Sequence, residues 1–252
     1  EDISRRMTVP IAADGVISQF GGYRDLPDLD WAGYRRRHGD LQRLDRILEA
    51  EGRSVDDYQV SKQADVLMLF YLLSADELRA LLRGLGYDLP PETIPRTIEY
   101  YLARTAHGST LSSLVHAWVL ARNHREHALE HFERALRSDV ADIQGGTTAE
   151  GVHLGAMAGC VDLLQRCFAG LETRHDALWL NPHWPRRFGR LDFEVRYRHQ
   201  TLTVTVSGRE VRLAAHPGPG GPVRVGCGDE LHDLRPGETV EFHAVSTFTA
   251  PD

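Results

Sequence analysis

The sequence predicts a helical part followed by an antiparallel β tail. Three observations carry that prediction. From residue 40 to about 170, apolar side chains recur at three- and four-residue intervals, the period of a helix face. Past Pro182 and Pro185 the period drops to two, as in Leu191-Asp192-Phe193-Glu194-Val195-Arg196-Tyr197-Arg198 and Leu202-Thr203-Val204-Thr205-Val206. Ser207-Gly208 then lies between two alternating runs as a hairpin turn. A chain of 252 residues is long enough for one large unit or two modest ones, each with a core.

Residues 1–39 read as irregular, punctuated by Pro10, Gly15, Gly21, Gly22, Pro27 and Gly33, with Phe20, Tyr23, Trp31 and Tyr34 between them. An aromatic-rich loop of that length is expected to pack on a scaffold and to line a site. Asp40 is placed to cap a helix over Leu41–Leu48, with Leu41, Leu44 and Leu48 on one stripe. Residues 62–73 are apolar nearly all round, which predicts a helix held between other helices. Ser74-Ala75-Asp76-Glu77 is a capping box for the next helix, closed by Gly84 and Gly86. Further helices are expected at 92–104, 109–122, 124–137 and 149–169, in an alternation that suits an α/α toroid. Beyond the two alternating runs, short strands are expected at 211–213, 222–227 and 239–245.

Composition limits the function classes. A net charge of −7 and a pI near 6.0 argue against nonspecific nucleic-acid binding, which needs a basic footprint. No apolar stretch approaches the roughly 20 residues of a membrane span. The first residues lack a signal peptide's apolar core and a starting Met, so the chain is expected to be a piece of something longer. Cys160, Cys167 and Cys227 show no zinc-ligand spacing and read as reduced, buried thiols of a cytoplasmic protein.

Of the 29 Lys and Arg residues, Lys62 is the one lysine. A lone lysine among arginines suits a site that takes a compact ammonium and rejects a planar guanidinium, although chance retention on the surface is the plainer reading. Lys62 stands beside Gln63 and Asp65, just ahead of an apolar run.

Two helix starts carry Gly and hydroxyl residues. One is Arg104-Thr105-Ala106-His107-Gly108-Ser109-Thr110-Leu111-Ser112, the other Gln144-Gly145-Gly146-Thr147-Thr148-Ala149-Glu150-Gly151-Val152-His153. Unpaired N–H groups at helix starts attract anions, Gly permits close backbone approach, and Ser and Thr hydroxyls donate further bonds. Two such starts with His107 could hold one phosphate from two sides. Ser and Thr are equally good N-caps, and neither segment matches the standard phosphate loop, so local sequence leaves both readings open. His107 alone could be a structural hydrogen bonder. His124, His127 and His131 fall at helical spacing among Arg and Glu on what reads as a solvated face, and no metal site is expected. The carboxylates offer no clear acid–base pair. Glu150 is the best placed, but a first-turn Glu also serves the helix dipole, and Asp139 and Asp142 read as turn or cap residues.

Taken together, Ser61-Lys62-Gln63-Ala64-Asp65-Val66-Leu67, His107-Gly108-Ser109-Thr110-Leu111-Ser112 and the run from Gly145-Gly146-Thr147 to Ala158-Gly159 resemble glycoside hydrolase family 65. So do Gln19-Phe20-Gly21-Gly22-Tyr23 near the start, and Leu180-Asn181-Pro182 with Phe193–Arg198 in the tail. The resemblance implies the C-terminal part of an (α/α)6 catalytic barrel over residues 1–180 and a small antiparallel β-sandwich over 181–252. It implies reversible, inverting phosphorolysis of an α-glucosyl disaccharide of the maltose, trehalose or kojibiose type to β-glucose 1-phosphate. By analogy Lys62 and Gln63 hold the glucosyl unit. His107, Gly108, Ser109 and Thr110, with Gly146 and Thr147, hold inorganic phosphate, which is the co-substrate, and no cofactor is expected.

The chemistry agrees with that implication. An inverting hydrolase needs a carboxylate base to activate water, whereas phosphate is already an anionic nucleophile and needs positioning. His107-Gly108-Ser109-Thr110 contains no carboxylate, which favours phosphorolysis; Glu150, near the second start, leaves a hydrolase such as a trehalase open. The family's general acid, a Glu on a loop ahead of Gln19, is expected outside this chain, with the first barrel helices and an N-terminal β-domain. By itself the chain is expected to be inactive and to expose apolar faces, with the missing N-terminal part of the enzyme, and by analogy a second copy, as partners. A non-catalytic module is the third reading.

Overall fold

A computed structural model describes residues 6–121, 125–141, 149 and 151–244. They form two compact units, Glu1–Cys160 and Val161–Asp252. The second unit takes in residues 161–180, which the resemblance grouped with the helices. Helices followed by a two-sheet β unit is the architecture the periodicity predicts.

The first unit contains α1(Trp31–His38), α2(Leu44–Ala50), α3(Met68–Leu72), α4(Ala75–Gly84), α5(Thr93–Leu102), α6(Thr110–Leu120) and α7(Arg125–Arg137), and α8(Leu154–Asp162) begins in it. Helix α1 lies where an irregular segment was expected. Asp30 caps it by accepting from the Gly33 N–H at 2.8 Å, and a Cβ on Gly33 would lie 2.0 Å from the Asp30 carboxylate. The rest of the N-terminal segment packs as expected. The Ile17 N–H donates to Thr97 Oγ1 at 3.1 Å, and the Tyr101 hydroxyl donates to the Ile17 carbonyl at 3.1 Å. Tyr23 stacks on Tyr101 in a core with Val16, Leu67, Leu78 and Leu82.

The helix expected over 62–73 shrinks to α3. A helix starting at Lys62 would need the Lys62 carbonyl for residue 66, but that carbonyl accepts from the Gly108 N–H at 2.7 Å. The side chains of α3 are only half covered, and Leu72 is exposed, so it is not enclosed between helices. The Ser74 capping box forms as read, with Ser74 and Glu77 satisfying each other's backbone N–H. Helix α8 begins at Leu154, later than expected, after Gly151 at φ 117°. Val140, Val152 and Leu154 stand 87%, 63% and 76% exposed, so apolar surface remains uncovered at this end of the helical unit.

In the second unit the strands are β1(Leu171–Arg174), β2(Ala177–Leu180), β3(Arg190–Tyr197), β4(Gln200–Ser207), β5(Glu210–Ala215), β6(Val223–Cys227), β7(Glu230–Leu234) and β8(Thr239–His243). One sheet is ordered β1-β2-β6-β7, the other β3-β4-β5-β8. Alternation sets the buried face: Leu202, Val204 and Val206 of β4 and Val211 and Leu213 of β5 are fully buried. The unit is not wholly antiparallel. Strands β2 and β6 pair in parallel, Leu178 opposite Val225, because β3, β4 and β5 intervene and leave ample chain for a crossover.

Candidate functional site

The segments around Lys62 and His107 are joined by backbone. Ser61 and Thr105 form a parallel bridge, in which the Ser61 N–H donates to the Arg104 carbonyl and the Ala106 N–H to the Ser61 carbonyl, both at 2.8 Å. With the Gly108 N–H on the Lys62 carbonyl, residues 61–62 and 104–108 run side by side. A Cβ on Gly108 would lie 3.0 Å from Lys62 Cγ and 3.3 Å from the Gln42 carbonyl, so Gly108 is the residue that lets the two strands of backbone close.

The side chains then sort around this bridge. Lys62 Nζ is 3.3 Å from Asp45 Oδ2, and its side chain is 56% exposed, so the ammonium is steered but still reachable. Burial of Asp45 opposes ionisation, yet hydrogen bonds from Arg43, the Arg46 N–H and Lys62 hold its carboxyl below the usual range. Gln63 Nε2 donates to Asp65 Oδ1 at 3.0 Å, and Gln19 Nε2 donates to Asp65 Oδ2 at 3.1 Å. The Ser61 hydroxyl donates to Gln19 Oε1 at 2.8 Å. The early Gln19-Phe20-Gly21-Gly22 block is thereby brought to Lys62 and Gln63.

His107 ends the bridge at φ 57°. Among the described residues, four other non-glycine residues have positive φ, and all four sit in two-residue hairpin turns: His175 and Asp176 between β1 and β2, Arg198 and His199 between β3 and β4. His107 alone of the five holds that conformation outside a hairpin, fixed on either side by the Ala106 and Gly108 hydrogen bonds. Ser109 is the N-cap residue of α6 in extended backbone, and its side chain makes no cap hydrogen bond. Plain capping therefore does not consume that hydroxyl. Thr110, in the first turn, is buried.

Behind this helix start lies a histidine cluster that the sequence reading missed. The ring centroids of His107, His116 and His131 are 4.4 Å, 5.1 Å and 5.2 Å apart in pairs. The spacing predicts a solvated face at His131, but its ring turns inward on α7, which packs along α6. His116 Nδ1 donates to the Ser112 carbonyl at 2.8 Å, and His107 Nδ1 meets Ser112 Oγ at 2.9 Å. Burial, then the neighbouring histidines and Arg134 and Arg35, pushes the His107 pKa down to about 2. Burial likewise lowers His116 to about 4 and His131 to about 3. All three rings are neutral near pH 7.

Helices α6 and α8 meet through glycine. A Cβ on Gly155 would lie 3.4 Å from Leu111 Cδ2, and one on Gly159 would lie 2.4 Å from Leu114 Cδ1. The contacts advance together along both helices, so α6 and α8 run the same way with their starts side by side. Just ahead of α8, the His153 N–H donates to Asp139 Oδ2 at 2.9 Å and His153 Nδ1 makes a short contact with Asp139 Oδ1. Those bonds hold the Asp139 carboxyl below its ordinary range. Asp139 thus holds the backbone just ahead of α8, 14 positions on in the sequence. Gly146, Thr147, Glu150 and Asp142 lie outside the described residues. Among the described residues no group of His, Cys, Asp or Glu is arranged to hold a metal, and no helix is long and apolar enough to cross a membrane.

Comparison with known proteins agrees with these blocks. Residues 1–162 match the model of the glycosyl hydrolase family 65 central catalytic domain, and residues 171–234 that of the family's C-terminal domain. An uncharacterised glycosyl hydrolase of Mycobacterium tuberculosis is 58% identical over 241 residues, which is 96% of this chain and 18% of that protein. Trehalose 6-phosphate phosphorylase of Lactococcus lactis is 38% identical over 216 residues, 85% of this chain and 28% of that protein. A solved structure of a human-microbiome protein, proposed to be a kojibiose phosphorylase, superposes with a TM-score of 0.70 at 22% identity, covering 96% of this chain and 30% of that one. The chain thus spans less than a third of the length of these relatives. It belongs to glycosyl hydrolase family 65.

Proposed function

We propose that the chain is the sugar- and phosphate-holding part of an inverting α-glucosyl disaccharide phosphorylase, built on the C-terminal part of an (α/α)6 barrel. The observation that carries this reading is the union of Lys62 and the α6 start through the Gly108 hydrogen bond, with the α8 start packed alongside. Lys62 and Gln63 bind hydroxyls of the glucosyl unit. His107, Gly108, Ser109 and Thr110, with Gly146 and Thr147 of the second start, hold phosphate. A phosphate oxygen attacks the anomeric carbon from the face opposite the leaving sugar oxygen, and that carbon–oxygen bond breaks. The leaving oxygen takes its proton from a carboxylic acid elsewhere in the full-length protein. The absence of a carboxylate from 107–112 supports phosphate over activated water as the nucleophile.

The family relatives named as phosphorylases of trehalose 6-phosphate, kojibiose and maltose support the reaction class. The test is incubation of the full-length protein with maltose, trehalose, kojibiose or trehalose 6-phosphate, with and without inorganic phosphate. Glucose 1-phosphate formed only when phosphate is present is the expected outcome; free glucose released without phosphate would favour a hydrolase. Lys62→Ala and His107→Ala should each lower kcat/KM by about 10- to 100-fold, the worth of a hydrogen bond to a charged or transition-state group. Near-normal rates for both would reject the site assignment.

A further inference from the structure

The hydrogen bond between His107 and Ser112 decides which nitrogen of the His107 ring carries its proton. Ser112 lies in α6 at 1% exposure, and the partner of its hydroxyl among the described residues is His107 Nδ1, at 2.9 Å. Two arrangements fit that distance. Either an Nδ1–H donates to the hydroxyl oxygen, or the hydroxyl donates to a bare Nδ1. The first leaves the buried Ser112 proton without an acceptor among the described residues, a state that folded proteins avoid. The second uses that proton and moves the ring's own proton to Nε2. His116 is the internal contrast. Its Nδ1 faces the Ser112 carbonyl, which can only accept, so its proton is on Nδ1; its Nε2 is then bare, and that atom is buried without a partner among the described residues.

We propose that Ser112 is a positioning residue, which fixes His107 as the Nε2–H tautomer so that a neutral imidazole offers one directed donor to phosphate. The proposal rests on the reading above that His107 faces phosphate. Several features support it. His116 stands edge-on to the His107 ring at 4.4 Å and His131 lies tilted against it at 5.1 Å, so the ring has little freedom to turn. The charged and titratable groups facing the cluster are Arg35, Arg134 and, beside His131, His127, all of which disfavour an imidazolium. With protonation disfavoured, a donor on Nε2 has to come from the choice of tautomer. Neither His107 nor Ser112 alone would secure it.

The test uses the full-length protein. Ser112→Ala should raise the KM for phosphate on the order of tenfold, the loss of one well-formed hydrogen bond, with the KM for the disaccharide unchanged. Ser112→Cys, whose thiol is a weaker donor of similar shape, should fall between the two and serves if the Ala variant fails to fold. Inhibition by sulfate, an anion whose own charge is constant, should stay level between pH 6 and 8 in the wild type. A phosphate KM within twofold of wild type in both variants would overturn the proposal. So would an equal rise in both KM values, or sulfate inhibition that fades above pH 6.5 as a charged imidazole would make it. Sugar release without phosphate by the wild-type protein would reject the phosphate reading itself. Phosphate-dependent turnover with an unmoved Ser112→Ala variant would reject this inference alone.

Discussion

The two units solve the problem of buried polar groups in opposite ways. In the β unit the interior of β4 and β5 is aliphatic apart from Gln200, whose amide donates to the His216 carbonyl; Leu202, Val204, Val206, Val211 and Leu213 point inward and the ladder takes up the backbone. In the helical unit the interior behind the α6 start holds Ser112, Ser113, His116 and part of His131. Aliphatic packing is stable over a wide pH range and does no chemistry. Buried imidazoles are held neutral at the expense of acid tolerance. The helical unit thus keeps a polar, titratable interior next to a residue at positive φ, His107, whereas the packed faces of β4 and β5 are mainly aliphatic.

The sharpest way to break that comparison is acid. His107, His116 and His131 all have folded-state values below the free imidazole's 6.5. The neutral ring therefore belongs to the fold. Its contribution is complete above pH 6.5 and is lost as pH falls from 6.5 towards about 4 and below, because the unfolded chain binds protons first. In the β unit, Asp192 is held below its usual 3.8 by Arg190 and Thr205, so its loss begins only below that pH. Circular dichroism with thermal melts at pH 7, 5 and 4 should show helical signal lost well before strand signal. His131→Leu should flatten the helical unit's stability slope between pH 6 and 4 by up to about 1.4 kcal/mol per pH unit, one proton's worth. Equal acid sensitivity of both signals would mean that the cluster does not govern the helical unit.

Next in size is a cavity in the scaffold. Leu213 is fully buried on β5, between β4 and β8. Leu213→Ala should destabilise the β unit by about 2–5 kcal/mol in denaturant melts. If the β unit is scaffold alone, the phosphate KM of molecules that remain folded should not change.

How much could be read from the sequence follows the same division. Period-two alternation survives in β3, β4 and β5 because one face of each strand packs and the other does not. Strand β7, Glu230-Leu231-His232-Asp233-Leu234, escaped because four of its five residues are exposed and carry no alternation. The β1–β2 hairpin escaped because its turn, His175-Asp176, adopts positive φ without the glycine that usually announces it. In the helical unit the capping box at Ser74 was legible because it is local. The true start of α3 was not, since it is set by a hydrogen bond from Gly108, 46 residues beyond Lys62. The pairing of Lys62 with Asp45 and the burial of His116 and His131 are tertiary facts of the same kind. The type and order of the site blocks were visible in the sequence; the groups that orient them were not.

A smaller effect tests whether the two helix starts depend on their close approach. Gly159 has no room for a methyl group, since its Cβ would fall 2.4 Å from Leu114 Cδ1. Leu114 is itself 2% exposed and has little space to yield. Gly159→Ala should therefore cost about 1–3 kcal/mol as overpacking, despite alanine's better helix propensity. Gly155→Ala, with 3.4 Å to Leu111, should be nearly neutral. If the α8 start serves the site, Gly159→Ala should also raise the phosphate KM, and a stability loss with no change in that constant would uncouple packing from binding.

The smallest effect isolates local structure from both. Ser74 and Glu77 close the start of α4 reciprocally, and both stand at the surface. Ser74→Ala leaves the Glu77 N–H to water and should destabilise the helical unit by about 1 kcal/mol. None of the site contacts described above involves α4, so kinetic constants should hold at wild-type values. A shift in the phosphate KM from so remote and local a change would mean that the helical unit responds as one elastic body. The site could not then be assigned to the Lys62, α6 and α8 segments alone. Stability lost with kinetics intact would keep α4 out of the site and leave the Lys62, α6 and α8 segments as this chain's proposed share of it.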